Sequence, residues 1–300
     1  MDLKGIETFV WVVQLGSFRL AAEKLNMTQP AVSQRIAALE QELGRRLLER
    51  DKRLVVPTPA GREALHYAEK LLRLRSDFLS ALSDKRYVRG FVRLGSSESI
   101  AHTWLPTFMK RINDLYPALS MEVEVDSSPN LRERLIAQSI ELAFLIGPIS
   151  APSIRNKALC TYPISFIASP KLGLGERRLS VADLAAWPIL TFARNTQPYE
   201  LVKELFNGPE TPPVRIHASA SLATSIRMAL DGTGVAAMPA VIVSEQIKAG
   251  ALQLLTTAFS LPPLNFVASW LHTSDELIPE ALAGIGAEIA MAWNGFEPVL

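Results

Sequence analysis

An α/β protein led by a small all-α N-terminal domain is the fold class this sequence predicts, on three observations. Strand-like and helix-like segments alternate from about residue 91 to the end, the pattern of an α/β architecture. The first 44 residues instead read as three short helices separated by tight turns. Charge divides at the same place: residues 1–90 carry 16 Lys/Arg against 11 Asp/Glu, and the remainder carries 15 against 19. A net of +5 on the first part and −4 on the rest suggests a polyanion-binding head on a body with another task.

In the first predicted helix, residues 3–14, Leu3, Ile6, Phe9, Val10 and Val13 share a face. Gly16 ends it, and Ser17 caps a second helix, Phe18 to Leu25, that buries Ala21, Ala22 and Leu25. Asn26-Met27 makes a tight turn in which Asn takes positive φ. Thr28 caps a third helix with Pro30 in its first turn, where a missing N–H costs nothing. Its buried stripe is Val32, Ile36, Leu39 and Leu43, and Gly44 stops it. Arg45 to Pro57 reads as a short hairpin with Arg50, Lys52 and Arg53 at its tip. Thr58-Pro59 opens a long helix whose Leu65, Ala68, Leu72, Leu79 and Leu82 follow a heptad-like spacing, widened by Leu71 and Phe78. Such a stripe needs cover, either its own domain or a partner helix.

Beyond residue 88, strands are expected at Phe91–Gly95, Leu119–Val125, Glu141–Ile146, Ser165–Ser169, Val235–Met238 and Asn265–Leu271. Helices are expected from Ser99 through Tyr116 and over Leu131–Ser139, Leu179–Ala185, Tyr199–Phe206, Ser221–Leu230 and Leu277–Trp293. Largely parallel sheets follow from that alternation.

Composition excludes several classes. At 48% hydrophobic and 20% charged residues the chain is too apolar to be disordered. One cysteine, Cys160, rules out an intrachain disulfide and a cysteine metal cluster, and a reducing, cytoplasmic setting fits. The N-terminal stretch does not read as a secretory signal, and no apolar run is long enough for a membrane span. No metal and no cofactor is expected.

Helix, tight turn, helix is the geometry that lays a second helix in the DNA major groove. The outward side of the third helix carries Thr28, Gln29, Ser33, Gln34 and Arg35. Gln pairs bidentately with adenine, Arg with guanine, and Ser and Thr serve bases or phosphates. A basic hairpin tip suits phosphates or a narrow minor groove. Position by position these are also ordinary solvated residues; the cap, turn, polar face and basic hairpin gain force by occurring in order.

The run from Phe9 to Gly61 resembles the LysR-type transcriptional regulators. The stretches that carry the resemblance are residues 18–25 (FRLAAEKL), 28–33 (TQPAVS), 36–40 (IAALE), Leu43-Gly44, 47–50 (LLER) and 58–61 (TPAG). Leu48 stands where the family often has Phe, and Pro57 where Leu is common. The resemblance implies a winged helix-turn-helix over residues 1–58 in which Gln29, Pro30, Ser33 and Arg35 approach base edges and Arg50 and Arg53 serve the wing, with Arg19, Thr28 and Gln34 completing the DNA-facing set. It implies a linker helix over 59–87 that pairs two chains, and a homotetramer, as a dimer of dimers, on an imperfect inverted repeat in promoter DNA. It also implies a periplasmic-binding-protein-like effector domain of two α/β subdomains, residues 91–163 with 268–300 and residues 164–267, crossed near Tyr162–Ser165 and Asn265–Ala268.

Helix starts mark the expected cleft. Ser97 and Ser99, Ser128, Asn195 and Thr196, and Ser221 lie at strand-to-helix junctions, where N–H groups and hydroxyls face ligands in α/β sheets. Each is equally a plain helix cap. A small polar organic effector is expected, a carboxylate being one candidate; Glu98 would oppose an anion if it points inward. Trp104, Phe144 and Tyr199 read as core rather than as an aromatic wall.

Catalysis is disfavoured. Gly95-Ser96-Ser97-Glu98-Ser99 lacks the final glycine of a hydrolase elbow, so neither Ser97 with His102 nor Ser219 with His217 makes a complete constellation. Gly232-x-Gly234 lacks a third glycine for a dinucleotide site, and Cys160 sits among apolar neighbours. A solute-binding protein with no DNA role would leave the 60-residue head unexplained.

Overall fold

The computed structural model describes residues 2–51, 54–82, 88–175, 177–208, 211–272 and 277–293. The chain divides into two compact units, Met1–Lys85 with Thr273–Leu277, and Arg86–His272 with Ile278–Leu300.

The first unit contains α1 (Leu3–Leu15), α2 (Phe18–Lys24), α3 (Gln29–Leu43), the hairpin strands β1 (Leu48–Asp51) and β2 (Leu54–Pro57), and α4 (Pro59–Leu82). Side chains of Asp2, Ser17 and Thr28 accept from backbone N–H groups three residues on, the orphan donors of a helix start. Gly16 and Gly44 close α1 and α3 at φ 60° and 64°, and Asn26 turns at φ 51°, where a β-branched side chain would be strained. Ile6, Phe9, Val10, Val32, Ile36 and Leu39 bury together, while Leu43 at the end of α3 is exposed.

The long helix corrects the seam read from the sequence. Ala68 and Leu72 are buried in this unit's own core, and Leu65 packs against it. The apolar residues left outside are Tyr67, Leu71, Leu74 and Phe78, exposed at 58%, 40%, 66% and 63% and spaced by four, three and four. A 24-residue helix can serve two faces at once: one covers α1, and the other is exposed among the described residues. The side chains of Leu79 and Leu82, and residues 83–87 of the expected linker, lie outside the described residues.

The second unit has two five-stranded sheets. In chain order come β3 (Gly90–Ser96), α5 (Glu98–Ala101), α6 (Leu105–Leu115), β4 (Leu119–Val125), α7 (Ser128–Ile136), β5 (Leu142–Ile146) and β6 (Ile154–Tyr162). Then follow β7 (Ile164–Ala168), α8 (Val181–Ala185), β8 (Ile189–Phe192), α9 (Gln197–Leu205), β9 (Ile216–Ser219), α10 (Leu222–Leu230), β10 (Val235–Pro239), α11 (Ser244–Lys248) and β11 (Gln253–Leu254). Last come β12 (Leu264–Leu271) and α12 (Leu277–Ala292). One sheet is ordered β4-β3-β5-β12-β6, the other β11-β7-β10-β8-β9.

Both sheets are mixed rather than largely parallel. Strands joined through helices, β4-β3-β5 and β10-β8-β9, run parallel, as crossover connections require. Strands that arrive from the other sheet, β7 and β12, run antiparallel to their neighbours. The chain passes between sheets at Pro163 and again before Leu264, where β12 already pairs with Tyr162. Leu264–Val267, expected in the second subdomain, therefore sit in the first sheet. The expected helix from Ser99 to Tyr116 is broken at His102–Trp104. The core of the first sheet is a cluster of Trp104, Phe108 and Phe144, with ring centroids 5.1 to 6.4 Å apart.

Candidate functional site

In the first unit the polar side of α3 faces outward. Val32, Ile36 and Leu39 are buried, which turns Thr28, Gln29, Pro30 and Gln34 into solvent and leaves Ser33 and Arg35 half-buried at the margin. Thr28 is both exposed and a cap, its hydroxyl accepting from Ala31 N at 3.4 Å. Arg19, on α2, is exposed and paired with Glu23 at 2.6 Å. Arg50 lies in β1 opposite Val55, its side chain outside the described set; Lys52 and Arg53, expected from the sequence at the hairpin tip, lie outside the described residues.

Two residues given no role of their own in the sequence analysis hold the hairpin, Glu40 to α3 and Gly61 to α4. The Glu40 carboxylate accepts from Leu47 N at 2.7 Å and from Leu48 N at 3.0 Å. Gly61 lies so close to the hairpin that an added Cβ would stand 2.0 Å from the Leu47 carbonyl oxygen. Thr58 completes this joint: its hydroxyl donates to Arg46 O at 2.8 Å and accepts from Gly61 N at 2.9 Å. The Thr-Pro-Ala-Gly run is thus a backbone junction as well as a helix start. The available sign for Glu40 is its place one turn after Ile36, at the edge of the buried stripe.

In the second unit a cleft of about 320 Å³ lies between the two sheets' junctions. Ser97, Ser99, Ser128, Asn195 and Thr196 line it together. Ser221 does not. Its hydroxyl accepts from Thr224 N at 3.3 Å as a cap, and Ser219 and Ala220 take its place in the lining. An adjoining cavity of about 470 Å³ shares Ser128, Pro129, Ile146 and Thr196 and adds Ile136, Ile149 and Arg132.

The hydroxyls are in different states. Ser128 Oγ accepts from Ile146 N at 3.0 Å, which leaves its own proton to give. Thr196 Oγ1 donates to Ala193 O at 2.6 Å, so the first turn of α9 has no side-chain cap. Asn195 is exposed and holds φ 68°. Ser97 Oγ is buried, the residue 6% exposed, and has no hydrogen-bond partner among the described residues. A buried hydroxyl in that state costs about 1–3 kcal/mol, and a ligand that meets it recovers the loss.

Glu98 reaches across the cleft. Its Oε2 accepts from Leu222 N, at the start of α10, at 2.5 Å. Burial pushes this carboxyl above the usual carboxylate range, partly offset by the Leu222 N–H and by His102. The other carboxylate of the lining, Asp126, accepts from Ser127 N and Asn130 Nδ2 at 2.7 and 2.8 Å. Trp104 and Phe144 are fully buried core, and Tyr199 is half-buried and outside the lining. Burial pushes the Cys160 thiol up, away from the thiolate that nucleophilic chemistry needs.

Comparison with known proteins decides the family. Residues 3–62 match the family described as bacterial regulatory helix-turn-helix protein, lysR family, and residues 85–281 match the LysR substrate binding domain. The chain belongs to the LysR-type transcriptional regulators. Among curated relatives, the SDS degradation transcriptional activation protein of a Pseudomonas strain is 32% identical over 86% of this chain and 85% of its own length. The regulator GltR of Bacillus subtilis is 23% identical over 94% of both chains. Among solved structures, full-length LysG from Corynebacterium glutamicum, with bound effector Arg, superposes with a TM-score of 0.61 at 20% identity, covering 97% of this chain and 99% of that one. Full-length BenM gives 0.55 at 25% identity over 99% of both. This LysR-type regulator thus pairs a helix-turn-helix DNA-binding domain with a substrate-binding effector domain, and its relatives are transcription regulators rather than enzymes. Among the described residues no helix is long and apolar enough to cross a membrane, and no group of His, Cys, Asp and Glu could hold a metal ion.

Proposed function

We propose that this regulator reads promoter DNA through α3 and the hairpin, and that a small organic molecule in the cleft of the second unit sets the outcome. Gln29, Pro30, Ser33 and Arg35 approach base edges. Thr28 and Gln34 contact bases or phosphates, Arg19 the backbone, and Arg50 and Arg53 the flanking phosphates or minor groove. The observation that carries this reading is the division of α3: its apolar side fills the core, while Gln29 and Gln34 stand in solvent with Ser33 and Arg35 half-buried beside them.

Two copies pair through the uncovered stripe of α4, Tyr67, Leu71, Leu74 and Phe78, whose four-three-four spacing suits a facing helix. Two such pairs form a tetramer on an imperfect inverted repeat. The protein works in the cytoplasm. The effector is a small polar molecule held by Ser97, Ser99, Ser128, Asn195 and Thr196, with Ser221 shaping the start of α10 from outside the lining. One relative is named for SDS degradation and one structural neighbour holds the effector Arg, so membership of the family does not by itself name the effector of this cleft.

The test is binding to a DNA fragment from the gene's own upstream region at two salt concentrations. Wild type is expected to bind tightly with strong salt dependence. Ser33→Ala with Arg35→Ala is expected to lose about 1–3 kcal/mol per base contact removed. A folded wild-type protein without sequence preference at either salt concentration sinks the reading.

A further inference from the structure

Glu98 and Leu222 belong to opposite sides of the cleft, yet the carboxylate of one is bonded to the first helical N–H of the other. The start of α10 attracts negative charge through its free N–H groups and its dipole. In this chain three N–H groups at this end are already engaged. Leu222 N gives to Glu98, Thr224 N gives to Ser221 Oγ, and Ser221 N gives to Ser219 Oγ at 3.1 Å. Asp126, the second carboxylate of the lining, follows β4 on the same subdomain as Glu98 and lies 3.8 Å from the Arg134 guanidinium; the lining's own guanidinium is the exposed Arg194. Beside Glu98, the Ser97 hydroxyl is buried and unpartnered.

We propose that Glu98 determines the specificity of the cleft as a resident anion: it fills the anion-attracting end of α10, so the effector turns a hydrogen-bond donor, a hydroxyl or an ammonium, toward this wall and carries no anionic group there. The proposal rests on the reading of the cleft as the effector site. The same bond ties the two subdomains together, so the wall is closed before any ligand arrives. The displaced state of the Glu98 carboxyl agrees with a group drawn out of water to make this contact.

Hydrogen exchange over the segment Ser219–Ser225 tests it, in the full-length protein as wild type, Glu98→Gln and Glu98→Ala, with sodium acetate as the anion probe. Loss of a hydrogen bond to a charged group is expected to speed exchange at Leu222 about tenfold or more in Glu98→Ala. Glu98→Gln keeps an amide oxygen for the Leu222 N–H and is expected to stay within about threefold of wild type. Acetate is expected to restore protection in Glu98→Ala by seating at the vacated helix end, and to leave wild type unchanged. Equal exchange in all three proteins overturns the proposal, as does acetate protecting wild type as much as the alanine variant. Thermal melts of each variant establish that it is folded. The exchange arms need no effector, so their failure removes the role of Glu98 alone. A screen of hydroxyl- and amine-bearing compounds that leaves the Ser97 and Ser128 segments untouched in every variant removes the reading of the cleft.

Discussion

In the head, six residues proposed to meet DNA lie between positions 28 and 35 of one helix and its cap; in the cleft, the lining comes from four junctions spread from residue 97 to residue 219. A helix places neighbours in sequence on one face by its own period, so the head's chemistry needs only that α3 be held at the right angle. The cleft has no such local rule. Two sheets must fold, and the chain must cross between them twice, before Ser97 and Thr196 line one cleft. The head is therefore sensitive to what anchors a single helix, and the cleft to what keeps two sheets in step.

The largest effect is expected at the anchor. Gly61→Ala places a methyl group against a backbone carbonyl that has no rotamer to escape into, and is expected to destabilise the head by about 3 kcal/mol or more. Calorimetry should show an early transition for the first unit and an unchanged one for the second; a single unshifted transition would mean that the hairpin yields freely. Next is the uncovered stripe of α4. Leu74→Glu with Phe78→Glu puts like charges at the centre of a facing seam. Sedimentation is expected to show smaller assemblies at micromolar concentration, with the far-UV circular dichroism of the folded chain unchanged, because within one chain both side chains are in solvent. Assemblies of wild-type size would place self-association elsewhere.

A smaller loss is expected for Glu40→Ala, which leaves Leu47 N and Leu48 N without their acceptor at a cost of about 1–3 kcal/mol. Its effect on DNA affinity should exceed its effect on the melt, since the hairpin loosens while the helical core remains. An unaltered DNA affinity would separate the hairpin from DNA reading. The smallest effect belongs to the cleft. Ser97→Ala removes a buried hydroxyl without a partner among the described residues and is expected to leave stability unchanged or raise it, by about 1 kcal/mol at most once the small void it leaves is counted. The same change is expected to weaken whatever effector the cleft takes; a large drop in stability would show that the hydroxyl has a partner in solution.

That ordering also marks what the sequence makes legible. Caps and turns are local, and Ser17, Asn26, Thr28 and Gly44 stand where their side chains or positive φ predict. The strand β6 is not legible, because at the sheet edge it exposes Arg155, Asn156, Lys157 and Ala158 in succession and loses the alternation that announces a strand. The strands β8 and β9, four residues each, are too short to show a period. Five of the six hydroxyl and amide residues expected at the cleft line it, because helix starts are local features. The partner of Glu98 lies 124 residues away, a relation no spacing announces. The seam of α4 misleads for a related reason: a helix with two apolar faces looks in sequence like a helix with one wide face.

The sheet order β4-β3-β5-β12-β6 sets a timetable. During synthesis β6 leaves the ribosome about 100 residues before β12, the strand that joins it to the rest of its sheet. The second sheet, contiguous from β7 to β11, has all its strands by Leu254. The subdomain begun first is thus the one finished last, and for that interval β6 presents a bare edge to the cell, of the kind that invites pairing with other chains. The polar residues that hide β6 from a sequence reader are the ones that protect it while it waits.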